Sequence, residues 1–237
     1  MRLKWLRKYS AAEISRLNIK KIEGIGILKK HVSSIMAGIY IGLGATVYLV
    51  TENKIAGSFF FCVGICLVIN YYNMLYTKII PSYPFKNYSI TDIVLAFFGN
   101  LIGGIFYAFL ISQTRLADKI SDRITTLMEM KINDSYISVF IMSVFCAVLV
   151  AYATFGDRIY PDNKIIATFF SMLFIMAFVM CGFDHLVANM FFYSFYAINN
   201  GFTLSLLPSF FIVLLGNTIG GLAIGYLEVY RAKTDTK

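Results

Sequence analysis

Six stretches of the chain contain no aspartate, glutamate, lysine or arginine: His31–Thr51, Ile55–Thr77, Ile93–Thr114, Ser135–Gly156, Ile165–Phe183 and Leu186–Leu227. A helix that crosses a bilayer needs about 20 mostly apolar residues at about 1.5 Å rise per residue. The first five stretches each hold one such helix. The sixth follows the fifth after only Asp184 and His185, so the two together predict a long broken helix from about Ile165 to Ala197 and a final helix from about Phe202 to Arg231. Asn199-Asn200-Gly201 forms the turn between them. The expectation is an all-α, multi-pass membrane protein with six transmembrane helices.

Charge distribution supports this class and sets an orientation. Only 14% of residues are charged, against about 25% in soluble domains. The net charge of +8 could suggest a nucleic-acid partner, but the basic residues cluster in the gaps between apolar stretches, and no nucleic-acid partner is expected. With six spans, both termini lie on one side. That side carries sixteen of the 21 lysines and arginines, among them Arg2, Lys4, Arg7, Lys8, Lys29 and Lys30. The opposite side carries Lys54, Arg115, Lys119, Arg123 and Lys131. The positive-inside rule therefore places both termini in the cytoplasm, in a cell (inner or plasma) membrane. Residues 1–30 read as a basic amphipathic segment on the inner leaflet, residues 31–231 as the membrane domain, and residues 232–237 as a cytoplasmic tail.

The third and sixth spans share a pattern. Gly99-Asn100-Leu101-Ile102-Gly103-Gly104 aligns with Gly216-Asn217-Thr218-Ile219-Gly220-Gly221 as G-N-x-I-G-G. Two copies of three spans insert with opposite orientation, which is the 3+3 inverted repeat of many transport proteins. The second and fifth spans then correspond, and each is interrupted, at Asn70-Tyr71-Tyr72-Asn73 and at Gly182-Phe183-Asp184-His185. Polar groups at membrane depth are costly unless they pair or line a cavity, so paired breaks point to a substrate site. Small-residue pairs such as Gly99/Gly103 and Gly216/Gly220 permit close helix packing. The four cysteines and two histidines show no metal-site spacing, and no cofactor or metal is expected.

The run Gly182-Phe183-Asp184-His185-Leu186-Val187-Ala188-Asn189-Met190 resembles the fifth-span signature of the formate/nitrite transporter family, G-[FY]-[ED]-H-x-x-A-N-M. Leu75-Tyr76-Thr77 is similar to that family's Leu-Phe-Thr loop, and the G-N-x-I-G-G of the sixth span matches its motif there. The resemblance covers about residues 28–232. It implies an aquaporin-like protomer with broken second and fifth helices, assembled as a homopentamer with a pore in each protomer. The implied substrates are small monovalent anions of weak acids: formate, nitrite, hydrosulfide, acetate or lactate. By the same resemblance His185, Thr77, Asn217 and Lys131 belong to the substrate pore. Phe61, Ile65, Leu75, Tyr76 and Phe178 belong to its constrictions, with Tyr76 replacing the more common phenylalanine.

The chemistry suits such a passage. Moving an isolated carboxylate into hydrocarbon costs on the order of tens of kcal/mol. A lysine at the outer entrance attracts the anion, and an imidazole, which titrates near physiological pH, protonates it or binds it strongly by hydrogen bonding. Asp184, next to His185, is expected to pair with a neighbouring group, and Asn100 to pack between helices. The alternative is an aquaporin-like channel for small neutral solutes, but Asn-Pro-Ala occurs nowhere, and none of the four prolines falls within a break. An enzyme is not expected: there is no G-x-S-x-G, no H-E-x-x-H and no pair of intramembrane aspartates.

Overall fold

The computed structural model describes residues 26–234, so the basic segment before Gly26 and the last three residues lie outside the described residues. Its helices are α1 (Ile27–Val50), α2 (Lys54–Asn70), α3 (Tyr76–Ser82), α4 (Ile90–Ser112), α5 (Leu116–Asn133), α6 (Tyr136–Thr154), the single turn α7 (Gly156–Ile159), α8 (Lys164–Cys181), α9 (Leu186–Asn200) and α10 (Leu206–Thr234). Five of these, α1, α4, α6, α8 and α10, are long and apolar enough to cross a membrane. The first begins one turn before His31. The 17-residue α2 is also apolar, but at 1.5 Å per residue it spans only ~26 Å of a ~30 Å hydrocarbon core.

One element was not expected. The stretch between Thr114 and Ser135 reads as a loop because of its charges, yet it folds into the 18-residue helix α5. The reason is spacing: Ile120, Ile124 and Met128 recur every four residues on one face and are fully buried, while the charged residues take the other faces. Lys131 sits on the last turn of this helix.

α1 packs most extensively against α4, and α6 against α10, with α2 beside α1 and α8 beside α6. The half-length helix α9 lies on α4, and α3 lies on α10. Glycine permits these contacts. A Cβ at Gly103 would collide with the Ile35 carbonyl oxygen of α1, and one at Gly220 would sit 2.5 Å from the Val144 carbonyl oxygen of α6. Backbone atoms inside helices cannot swing aside, so Gly103→Val is expected to destabilise the α1–α4 pair by roughly 3 kcal/mol or more. Gly26→Ala, with nothing within 4 Å of its Cβ, is the matched control. Thermal unfolding of the detergent-solubilised proteins compares them, and equal midpoints would refute the close-packing account.

Candidate functional site

Both breaks are built the same way. α2 ends in a left-handed residue, Tyr72 (φ 56°). The Asn73 N–H donates to the Val68 carbonyl (2.9 Å) and the Tyr72 N–H to Ile69 (3.1 Å), the paired bonds of a Schellman motif. α8 ends in Gly182 (φ 70°), with the Phe183 N–H on Phe178 (3.0 Å) and the Gly182 N–H on Val179 (3.1 Å). Three residues separate each left-handed residue from the half-helix that follows: Asn73-Met74-Leu75 before α3, and Phe183-Asp184-His185 before α9.

One asparagine holds each break. Asn100 Oδ1 accepts the Tyr76 N–H at the start of α3 (2.8 Å), while its Nδ2 donates to the carbonyls of Met74 (2.9 Å) and Ser34 (2.8 Å). Asn217 Oδ1 accepts the Leu186 N–H at the start of α9 (2.9 Å), while its Nδ2 donates to the carbonyls of Asp184 (2.8 Å) and Ser143 (2.8 Å). Bond for bond, Asn100 corresponds to Asn217, Ser34 to Ser143, Met74 to Asp184 and Leu75 to His185. Asn217 was expected beside the substrate. Its amide is committed to three backbone groups, two of them flanking His185, because a chain break at membrane depth leaves those groups without helical partners. Asn100, expected to pack between helices, does the same work in the first half.

His185 is the N-cap residue of α9. Its Nδ1 accepts the Ala188 N–H (3.2 Å), and its Nε2 lies 2.9 Å from Thr77 Oγ1 on α3. A backbone N–H can only donate, so Nδ1 carries no proton and the neutral ring holds its hydrogen on Nε2. Nε2–H therefore donates to the Thr77 hydroxyl, whose own proton is left for another acceptor. The imidazole and Thr77 are both buried. Phe178 stacks near the imidazole (centroids 5.6 Å, 28°), and Phe61 meets Phe178 edge-on at 5.7 Å. Ile65 and Leu75 are buried as well. The structure thus links Phe61, Phe178, His185 and Thr77 into one run.

Lys131 lies behind this run. Its ammonium pairs with the Asp184 carboxylate, which also accepts from Asn189 Nδ2 (3.3 Å). The expected partner of Asp184 is therefore Lys131. The lysine charge that the sequence assigned to attracting anions is offset by a carboxylate, and Lys131 braces the loop that carries His185. Tyr76 Oη is 2.8 Å from Thr218 Oγ1, which donates to the Leu214 carbonyl (2.6 Å), so the phenol donates to the threonine. This bond ties α3 to α10, a use that a phenylalanine there would not have. A large cavity of about 980 Å³ opens at the end of the bundle where α1 and α8 begin, and its wall includes Asn73, Met74 and Lys78, on either side of Leu75-Tyr76-Thr77. Among the described residues no group of three or more His, Cys, Asp or Glu side chains could hold a metal.

A bundle of apolar helices in which two half-helices meet around a buried imidazole and hydroxyl defines a membrane channel or transporter rather than an enzyme. The model of the formate/nitrite transporter family matches residues 9–230, and the chain belongs to that family. No curated protein matches it. Among solved structures it is similar to one described as an FNT family ion channel (21% identity, TM-score 0.77, covering 97% of this chain and 98% of the other). It is also similar to a pentameric formate channel with formate bound (19% identity, TM-score 0.71, covering 89% and 98%). These likenesses show the shared fold.

Proposed function

We propose that this protein is a pore for small monovalent anions of weak acids, with formate the first candidate and nitrite and hydrosulfide, then acetate and lactate, beside it, and that each protomer of a homopentamer conducts. The observation that carries this reading is the His185–Thr77 pair at 2.9 Å, held where the two breaks meet. The matched bonds of Asn100 and Asn217 support a 3+3 inverted repeat in an aquaporin-like protomer. In that arrangement α2 with α3 makes one crossing and α8 with α9 another, for six crossings in all. The excess of lysine and arginine at the end where α1 and α8 begin supports cytoplasmic termini in a cell membrane. The solved relative with formate bound supports both the anion and the pentamer.

In this reading the anion passes the narrows of Phe61, Phe178 and Ile65 on one side and of Leu75 and Tyr76 on the other. Between them it takes a hydrogen bond from the Thr77 hydroxyl, which is itself polarised by His185 Nε2–H. A charge-assisted bond of this kind is stronger than a neutral one, and it offsets part of the lost hydration. Full proton transfer from the ring requires the imidazolium. That form puts a proton on Nδ1, so the ring must give up the Ala188 N–H. Proton-linked permeation and local opening of the α9 cap are therefore coupled.

His185→Asn tests the proton role, because asparagine is a good N-cap residue and does not titrate. Uptake of formate, nitrite and hydrosulfide into proteoliposomes is measured at two pH values. The variant is expected to lose the pH dependence of the wild-type protein beyond that set by ionisation of the substrate itself. An unchanged profile would remove His185 from any proton step, and no anion flux in the wild type would sink the pore reading.

A further inference from the structure

Two partly buried lysines each pair with a carboxylate, Lys131 with Asp184 and Lys30 with Asp92 (2.7 Å). Lys78 is partly buried too, yet among the described residues no carboxylate pairs with it. It stands on α3 directly after Thr77, in the wall of the 980 Å³ cavity. One of its three N–H donors goes to the Asn73 carbonyl (3.1 Å), and two remain. The charged neighbours it feels are Asp157 and Arg158 on α7, whose opposite signs offset each other. Asn73 lies in the same wall. Its Oδ1 accepts from Ser33 Oγ (3.3 Å), which in turn accepts the Met74 N–H (3.0 Å), and this leaves Nδ2 free. Among the described residues, the unpartnered side-chain atoms shut away from the surface are Asn87 Oδ1 and Arg158 Nη1. Asn73 Nδ2 is not one of them, so it is open to the cavity.

The other break supplies the comparison. In the register set by Asn100 and Asn217, Asn73 corresponds to Phe183, Lys78 to Ala188 and Ser33 to Met142. That break keeps its shape with apolar residues at all three places, so the polar set is not needed to build one. We infer that Lys78 Nζ and Asn73 Nδ2 form a loading site for the permeating anion, a small carboxylate or another monovalent anion of a weak acid, at the mouth where α1 and α8 begin. An anion leaving water here meets the narrows of Leu75 and Tyr76 next. The spare donors replace part of the hydration it loses, and charge-assisted bonds are about twice as strong as neutral ones. Because the site stands at one mouth, it lowers the concentration at which that mouth half-saturates. This role in flux rests on the pore reading, whereas binding at the site does not.

Membrane vesicles of fixed orientation read one mouth at a time. With cytoplasmic termini, everted vesicles turn the Lys78 mouth to the bath and right-side-out vesicles the opposite one. In everted vesicles Lys78→Met should raise the half-saturating formate concentration roughly tenfold, and Lys78→Arg, which keeps the charge, should restore most of the loss. In right-side-out vesicles both should stay near the wild-type value. Asn73→Asp keeps the side-chain shape and the acceptor for Ser33 but sets a carboxylate beside Lys78, so it should raise the same constant at least as far as Lys78→Met. If the Lys78–Asn73 bond serves the fold alone, Lys78→Met lowers the thermal midpoint and shifts both mouths equally, and Asn73→Asp shifts neither. Either result would overturn the site. Binding is read separately, from the saturable line broadening of carbon-13 formate by purified full-length protein, which should weaken in Lys78→Met and Asn73→Asp. Equal broadening in all three proteins would overturn the site whatever the flux. Wild-type vesicles without formate flux, but with broadening that depends on Lys78, would refute the pore reading and support the site.

Discussion

Replacing Asn217 with leucine is expected to unfold the region around His185 and to be among the most damaging single changes in the chain. Three backbone groups lose their partner at once: the Leu186 N–H and the carbonyls of Asp184 and Ser143. Asn217 is buried, so water does not replace the amide. An orphaned buried polar group costs about 1–3 kcal/mol, and even at the low end three of them cost about 3 kcal/mol. For a chain of this length about 1 kcal/mol moves a thermal midpoint by about 2–4 °C, so the loss is readily measured in detergent. Because Asn100 makes the equivalent bonds, Asn100→Leu should cost as much, although it sits in the other half of the chain. A midpoint within about 2 °C of wild type for either variant would show that its break does not depend on the asparagine. Loss of flux in Asn100→Leu, which touches neither His185 nor Thr77, would show that the geometry of the break is what matters.

Asp184→Leu is expected to cost about 3–5 kcal/mol, because it leaves the largely buried Lys131 ammonium without its counter-charge. Two further losses add to this. Asn189 Nδ2 loses its acceptor, and the start of α9 loses a negative group near the positive end of its dipole. The ion pair itself need not stabilise the protein, since desolvation consumes much of its attraction. The double variant Lys131→Met, Asp184→Leu should therefore recover most of the stability lost by Asp184→Leu alone, and a double-mutant cycle isolates the coupling. If Lys131→Met and Asp184→Leu simply add, the two residues do not act as a pair. If the double variant is stable but its formate flux has fallen, the pair serves to aim His185 rather than to hold the fold.

Much of this molecule was legible in the amino-acid sequence, and the gaps have physical causes. Runs without charge mark helices wherever water is excluded, which is why α1, α4, α6, α8 and α10 fall where expected. α5 escaped because its apolar residues occupy a narrow face among many charges. Its signal, the spacing of Ile120, Ile124 and Met128, requires counting by fours instead of by composition. The positions of both breaks could be read from their polar residues. The left-handed turn at Tyr72 could not, because nothing local to a tyrosine favours that conformation. G-N-x-I-G-G identified Asn100 and Asn217 as mates, but their work lies in contacts with residues 24 to 74 positions away. The pairing of Lys131 with Asp184 spans 53 positions, and no pattern in one sequence reports it. His185 and Thr77, 108 positions apart, were joined only through resemblance to a known family.

Leu75 and His185 occupy corresponding places in two breaks that are otherwise duplicated. The bonding framework is thus nearly the same in both breaks, but the furnishings are not: one break presents an aliphatic side chain and the other an imidazole bonded to Thr77. If the pore proposed above works passively, it must carry equal traffic both ways when the permeating species is at equal concentration and pH across the membrane. It is nevertheless free to reach half-saturation at different concentrations from its two mouths, so import and export can differ in capacity with no input of energy.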